Sequence, residues 1–360
     1  MKYLFPLNGI RMPFRKGSQF TMLSLALFSL IFFSCSEDQV QPVSDQVENS
    51  QVKDFTLIEP TKDLIQLEAK SGDDLSKRAT QAAGPDRGRF NITLRYLVPP
   101  TDRQREVFDA AAARWERSII KDLPSVSGEV IPSAFGGVPP IITAEEGIID
   151  DLIIEVVLIP IDGPGNILGS AGPRFVRIPE LTTISGVMQF DVADLATLEE
   201  FDLFEEVIVH EMGHVLGIGT LWNLNIPPLG IDRQLRFGPE SDPYYGGKQA
   251  NVFWNAEGGE FELPIENMGG PGTRLSHWRE SALNNELMTG FLNLGYNPLS
   301  RITAGSLEDL GYGTANVGEQ YDLPRGTEGV DPDNLSEPTE GLNIAAMEEL
   351  LEPIGVVKIK

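Results

Sequence analysis

Cysteine, histidine and basic residues are scarce in this chain, and each shortage excludes something. Cys35 is the only cysteine, so no disulfide closes within the chain and no cysteine-based metal site is possible. Only three histidines, His210, His214 and His277, are available for imidazole chemistry. The 28 Lys and Arg are outnumbered by 53 Asp and Glu, and a net charge of −25 repels phosphate backbones and anionic lipid heads, which argues against nucleic acid as a partner. The apolar run Met22–Phe33 falls short of the ~20 residues a bilayer-spanning helix needs. With 41% hydrophobic and 22% charged residues the composition is that of a globular protein, neither disordered throughout nor a multi-span membrane protein.

The short run TMLSLALFSLIFF follows Arg11, Arg15 and Lys16, the charged-then-apolar layout of a secretory signal. The sequence FFSC that ends it resembles a bacterial lipobox, in which the cysteine is lipidated and becomes the first residue of the mature chain. The expectation is an exported protein attached to a membrane only through a lipid on Cys35. It would be an outer-membrane or cell-surface lipoprotein, or otherwise periplasmic or extracellular. A start at Met12 would give the signal a more ordinary length.

Residues 36–88 are polar and acidic and read as a tether or pro-segment. In RFNITLRYLVPP, Phe90, Ile92, Leu94 and Tyr96 alternate with polar residues, as in a half-buried strand. Thr101 and Gln104 have capping-box spacing. Val107, Phe108, Ala111, Ala112, Trp115 and Ile119 then fall on one helical stripe. DLIIEVVLIP is continuously apolar, as expected for a strand covered on both faces, and GVMQFDV alternates with Met188, Phe190 and Val192 on one side. A single helix is expected from about Leu195 to Leu216, burying Leu198, Phe201, Phe204, Val207, Ile208, Val215 and Leu216. Residues 219–300 are rich in Gly, Pro and Asn and read as irregular structure. Short helices are expected at SLEDLGY and, in the tail, at NIAAMEELL.

The segment VIVHEMGHVLGIG holds an HExxH motif. On a helix this spacing puts His210 and His214 one turn apart on the same face, where both imidazoles can grip one ion. Glu211, beside the first histidine, is placed to take a proton from attacking water and pass it to a leaving amine. An ordinary solvated His-Glu-His face fits poorly, because Val207, Ile208, Val209, Val215 and Leu216 surround the motif. Catalytic zinc usually has three protein ligands and one open position. His277, the histidine that remains, is therefore the leading third ligand, although a lone histidine beside a tryptophan is more often a packing residue. Gly217, three residues past His214, allows the helix to end and the chain to turn beneath the metal. The common form HExxHxxGxxH would put a third histidine at position 220, where this chain has Thr220.

The ordered segments HEMGHVLGIG, LSHWRE, NNELMTG and AGSLEDLGY resemble the leishmanolysin family of metzincin zinc metallopeptidases, in which a long insertion separates the glycine from the third histidine. The resemblance spans roughly residues 90–312. It implies an α+β fold of the metzincin or zincin type, with a twisted mixed N-terminal sheet, two long helices and an irregular C-terminal subdomain holding a short helix. It also implies that His210, His214 and His277 ligate Zn(2+), that Glu211 is the base, and that Met288 lies under the metal in a methionine turn. The expected boundaries are a signal at 1–35, a tether or pro-segment at 36–88, catalytic subdomains at 89–219 and 220–313, and a tail at 314–360. Two departures matter. With no cysteine besides Cys35, latency by a cysteine switch is excluded. Gly290 stands two residues after Met288, where some metzincins place a tyrosine.

The activity implied is a metalloendopeptidase acting on protein or peptide substrates. One alternative is a non-catalytic surface lipoprotein that keeps the fold as a binding module, and the intact Glu211 speaks against it. Another is a zinc hydrolase with a carboxylate as third ligand, for which no downstream ExxxD pattern is found. GVMQFDV is expected to be either the rim strand that receives an extended peptide or an ordinary edge strand. Arg274 and Arg279, near His277, could contact substrate, but charged surface positions are the expected reading.

Overall fold

Apolar strands of both kinds, alternating and continuous, come together in one mixed sheet in the computed structural model, which describes residues 55–71, 89–141, 148–270, 272–323 and 341–360. The signal-like run and Cys35 lie outside these residues. The strands of the sheet are β1 (Ile65–Ser71), β2 (Ile92–Tyr96), β3 (Val126–Ser127), β4 (Ile148–Ile149), β5 (Leu152–Ile159), β6 (Gly169–Ile178) and β7 (Thr183–Asp191), joined by two strands from the chain's end. Their order is β2-β5-β7-β6 and then, across the last strand of the chain, β1-β3-β4. β2, β5 and β7 run parallel, while β6 is antiparallel to β7.

The helix α1 (Asp102–Ser118) begins where Thr101 and Gln104 cap each other, and it buries Val107, Phe108, Ala111, Ala112 and Trp115. Trp115 donates its indole N–H to the Val209 carbonyl at 2.9 Å, tying α1 to the helix that carries the histidines. The single helix expected over 195–216 is two helices, α2 (Val192–Glu200) and α3 (Phe204–Leu216). Asp202 adopts φ 58° at the break, a left-handed conformation that Asp tolerates better than most residues. Phe201, assigned to the buried face by periodicity, falls in this break and is 56% exposed.

Three further differences bear on the site. GVMQFDV lies in β7 except for Val192, which opens α2, and β7 is paired on one side with β5 and on the other with β6, so it is neither a rim nor an edge. β6 was not foreseen. Its segment GSAGPRFVRI includes Pro173 and the buried Arg174 and Arg177; Arg177 donates to the carbonyls of Pro124 and Thr183, and Arg174 to that of Glu352. Ile65–Ser71, within the stretch read as a tether, is a strand of the sheet.

Between the helix of the histidines and the tail the chain forms small sheets and short helices. The strands are β8 (Asn223–Ile226), β9 (Ile231–Gln234), β10 (Arg236–Phe237), β11 (Tyr244–Tyr245), β12 (Leu263–Pro264) and β13 (Leu292–Asn293). The helices are α4 (Lys248–Ala256), α5 (Glu280–Leu283) and α6 (Arg301–Leu310). Ser300 caps α6, which therefore starts ahead of the SLEDLGY segment. The tail is not helical at NIAAMEELL. It forms β14 (Gly341–Leu342), a 3-10 turn at Ile344–Ala346, β15 (Glu348–Leu350) and β16 (Gly355–Ile359). β15 and β16 both pair parallel with β6, and β16 also pairs with β1. Alanine, methionine, glutamate and leucine favour a helix by only tenths of a kcal/mol each, too little to outweigh a sheet edge that offers backbone partners. The fold is thus a mixed α+β arrangement in which β6, α3 and the tail converge.

Candidate metal centre

α3 carries its own electrostatic order, with Glu205 and Glu206 in the first turn, where the helix dipole favours negative charge. At its other end Gly217 takes φ 113°, a left-handed conformation that closes the helix. This turn aims the Ile218 carbonyl at His214, whose Nδ1 lies 2.9 Å from it. Gly219 permits the next approach. A Cβ there would sit 2.2 Å from the Ser276 carbonyl oxygen, so the loop bearing His277 returns directly against residue 219.

Each histidine is oriented in the same manner. His210 Nδ1 is 2.7 Å from the Leu287 carbonyl, and His277 Nδ1 is 3.0 Å from the Thr273 carbonyl. A carbonyl oxygen can only accept, so each Nδ1 carries a proton, and in its neutral form each ring turns a bare Nε2 lone pair inward. The three Nε2 atoms lie 2.9–3.1 Å from one another. With no proton between them these lone pairs repel, and a shared cation is what such a donor set fits. All three rings are fully buried.

Met288 packs against α3 at Gly213. Its Sδ and Cε stand 2.6 and 2.8 Å from where a Cβ on Gly213 would be, so the thioether fills space that a larger residue before His214 would take. The Trp278 N–H donates to the Met288 carbonyl at 3.0 Å, joining this turn to the His277 segment. The fully buried Glu286 carboxylate accepts from Met288 N at 2.7 Å, Ser300 N at 3.1 Å, Ser300 Oγ at 2.7 Å and Thr303 Oγ1 at 2.6 Å. Arg279 is a buried clip rather than a surface residue, donating to Ile265 O and Pro243 O and pairing with Asp242. Arg274 is exposed and pairs with Glu240.

A fourth group was missed by sequence reasoning. Glu348 of β15 sends its carboxylate into the cluster, with Oε1 3.0 Å from His277 Nε2 and Oε2 3.6 and 3.7 Å from His210 and His214 Nε2. His210, His214, His277 and Glu348 can each offer one ligand atom, all within 4.8 Å of one another. Asp122, Asp150 and Asp151 form another such group among the described residues, but Asp151 is engaged by the amides of Leu123 at 2.6 Å and Asn91 at 2.7 Å.

The cluster sets its own charge states. Burial pushes the imidazoles of His210 and His214 down, toward the neutral form that a metal requires, whereas at His277 burial is outweighed by the charge of Glu348 and the imidazole is raised. Burial, and then the charge of Glu348, pushes the Glu211 carboxyl well above the ordinary carboxylate range. Burial acts on Glu348 in the same sense, but His277 and His214 outweigh it and hold this carboxyl well below that range. Glu211 is fully buried beside the ring of ligand atoms without being one of them.

Comparison with known proteins gives one consistent answer. The sequence profile of the leishmanolysin family matches residues 121–330. A leishmanolysin homolog from Crithidia fasciculata is 27% identical over 136 residues, which cover 36% of this chain and 20% of the relative. A leishmanolysin-like peptidase from Caenorhabditis elegans is 45% identical over 60 residues, 16% of this chain and 9% of the relative. The similarity therefore spans a fifth or less of the length of these relatives.

Proposed function

The chain belongs to the leishmanolysin family of peptidases, and from that premise we propose that it is a zinc-dependent metalloendopeptidase of metzincin type. The observation that carries this reading is the set of three inward Nε2 lone pairs whose Nδ1 protons are already committed to carbonyls. His210, His214 and His277 would hold the ion. Zinc, when bound, supplies a Lewis acid that polarises a peptide carbonyl and makes water more acidic.

This chain's own residues do the rest. Glu211 is the general base, accepting the proton of the attacking water at its carboxylate and delivering it to the amine that leaves. Its burial removes competing solvent, so the proton is exchanged between Glu211 and the reacting groups alone. Gly217 turns the chain so that His214 keeps its Nδ1 partner. Met288 supports the ring plane from below, and Gly290 brings no hydroxyl to the site. The substrate is a protein or peptide, in keeping with the family.

Equilibrium dialysis is expected to give one zinc per chain. His277→Ala is expected to weaken zinc binding by more than the about 10–100-fold that loss of an outer-shell partner costs. A chain that binds no zinc, or a His277→Ala variant that binds it equally well, would remove the basis of this reading.

We also propose export and attachment through a lipid on Cys35, a reading that rests on the apolar run and the FFSC sequence. Cys35→Ser is expected to move the protein from the membrane fraction to the soluble fraction of the producing bacterium. Unchanged fractionation would rule the anchor out.

A further inference from the structure

The tail crosses the site between two walls and is bonded to both. On one wall β14 pairs with β13, Ala345 N donates to the Gly290 carbonyl at 3.2 Å, and Thr273 Oγ1 donates to the Ala345 carbonyl at 3.0 Å. On the other wall Leu168 N donates to the Met347 carbonyl at 2.7 Å and Leu351 N donates to the Ala171 carbonyl at 2.8 Å, with Glu348 opposite Gly169 in the parallel ladder between them. Glycines allow both approaches. A Cβ on Gly272 would lie 2.9 Å from the Glu348 carbonyl oxygen, and one on Gly172 would lie 2.2 Å from that of Leu351. Arg174 then holds the Glu352 carbonyl at 2.9 Å before the chain enters the sheet as β16.

An extended segment that adds to a sheet edge and drops one side chain into a buried centre is the way a peptide binds by strand addition. Here the residue at the centre brings a carboxylate and not the peptide bond that a peptidase would cut. Catalytic zinc sites keep one position open, whereas sites with four protein ligands are closed. Three imidazoles and Glu348 make four.

We propose that residues 341–351 are a built-in occupant of the substrate cleft and that Glu348 is the fourth ligand of the metal, so the chain is latent until this segment is displaced. The proposal rests on the zinc-peptidase reading above. Latency of this kind needs no cysteine. It is intramolecular, because β16, lying between β6 and β1, keeps the segment at high effective concentration beside the cleft. Leaving the site requires breaking the short ladder of β15, the β14–β13 pair, the bonds that join Met347 to Leu168 and Leu351 to Ala171, and the contacts at Thr273 and Gly290, while β16 stays in place.

The test compares zinc-loaded wild type with Glu348→Ala, Glu348→Gln and Glu349→Ala. Glu349 neighbours Glu348 on the strand but is exposed, near Ser170. The probe is acetohydroxamic acid, a small chelating ligand that needs an open metal position, titrated by calorimetry. Zinc content is measured in parallel, and circular dichroism confirms folding. A centre that is open only a fraction of the time weakens the probe's apparent Kd by that fraction. Glu348→Ala is therefore expected to bind the probe at least about tenfold more tightly than wild type, as for a tail that closes the site nine-tenths of the time. Glu348→Gln keeps the shape of the side chain with a poorer ligand and should fall between them, and Glu349→Ala should match wild type. Casein hydrolysis is expected to rise in the same order.

Equal probe binding by wild type and Glu348→Ala, with zinc bound in both, would overturn latency and leave the zinc reading intact. Loss of zinc from Glu348→Ala and Glu348→Gln would also overturn it, by making Glu348 a permanent ligand. Absence of zinc from every variant would overturn both readings.

Discussion

Glu211→Gln, introduced alongside Glu348→Ala so that the cleft is open, is expected to lower casein hydrolysis by about 10²–10⁴-fold, the contribution of a positioned general base. Zinc should remain at one per chain. The two effects separate because Glu211 lies within the buried centre but outside the four groups whose ligand atoms converge. Glutamine keeps the volume of the side chain and the packing of α3 while losing the ability to accept a proton. Loss of activity together with loss of zinc would assign Glu211 to holding the centre instead of to proton transfer. Hydrolysis that survives the change would refute the mechanism. If Glu348→Ala alone binds zinc and the hydroxamate yet cleaves nothing, a non-catalytic binding role takes the place of the peptidase.

How much of this was legible in the sequence depended on how local each signal was. The capping box of α1 and the continuous apolar run of β5 report their own environment within a few residues, and both form as read. HExxH is equally local, since one turn of helix sets the spacing of its rings. His277 is 63 residues beyond His214, and what brings it back is backbone contact between Gly219 and Ser276, which has no periodic trace. β6 escaped notice because its buried Arg174 and Arg177 look like surface charges until the carbonyls they donate to are in place. The tail shows the limit most clearly. In MEELL nothing local distinguishes Glu348, which enters the centre, from Glu349, which faces out. Only the register of β15 on β6 decides which of the two points inward, and slipping a strand by one residue exchanges its faces.

Glu286→Leu is expected to prevent folding or to remove most of the stability of the chain. Its carboxylate accepts from four donors, two of them amides, and of its neighbours Leu287 orients His210 while Met288 packs on α3 at Gly213. Leucine would leave Met288 N, Ser300 N, Ser300 Oγ and Thr303 Oγ1 buried with no acceptor. Each orphaned donor costs about 1–3 kcal/mol. Several together approach the roughly 5–15 kcal/mol by which a folded domain is stable. Glu286→Gln is the graded comparison. Its amide oxygen can still serve Ser300 and Thr303, but its NH₂ then faces the Met288 N–H, so one donor is lost at about 1–3 kcal/mol. Urea unfolding should rank wild type above Glu286→Gln, with Glu286→Leu lowest or unfolded. In the glutamine variant the freed Met288 turn also loosens the Leu287 carbonyl on His210, so zinc should pass to a competing chelator faster than from wild type. A Glu286→Leu protein within about 0.5 kcal/mol of wild type, the range of an ordinary surface substitution, would show that this buried carboxylate does not hold the turn to α6.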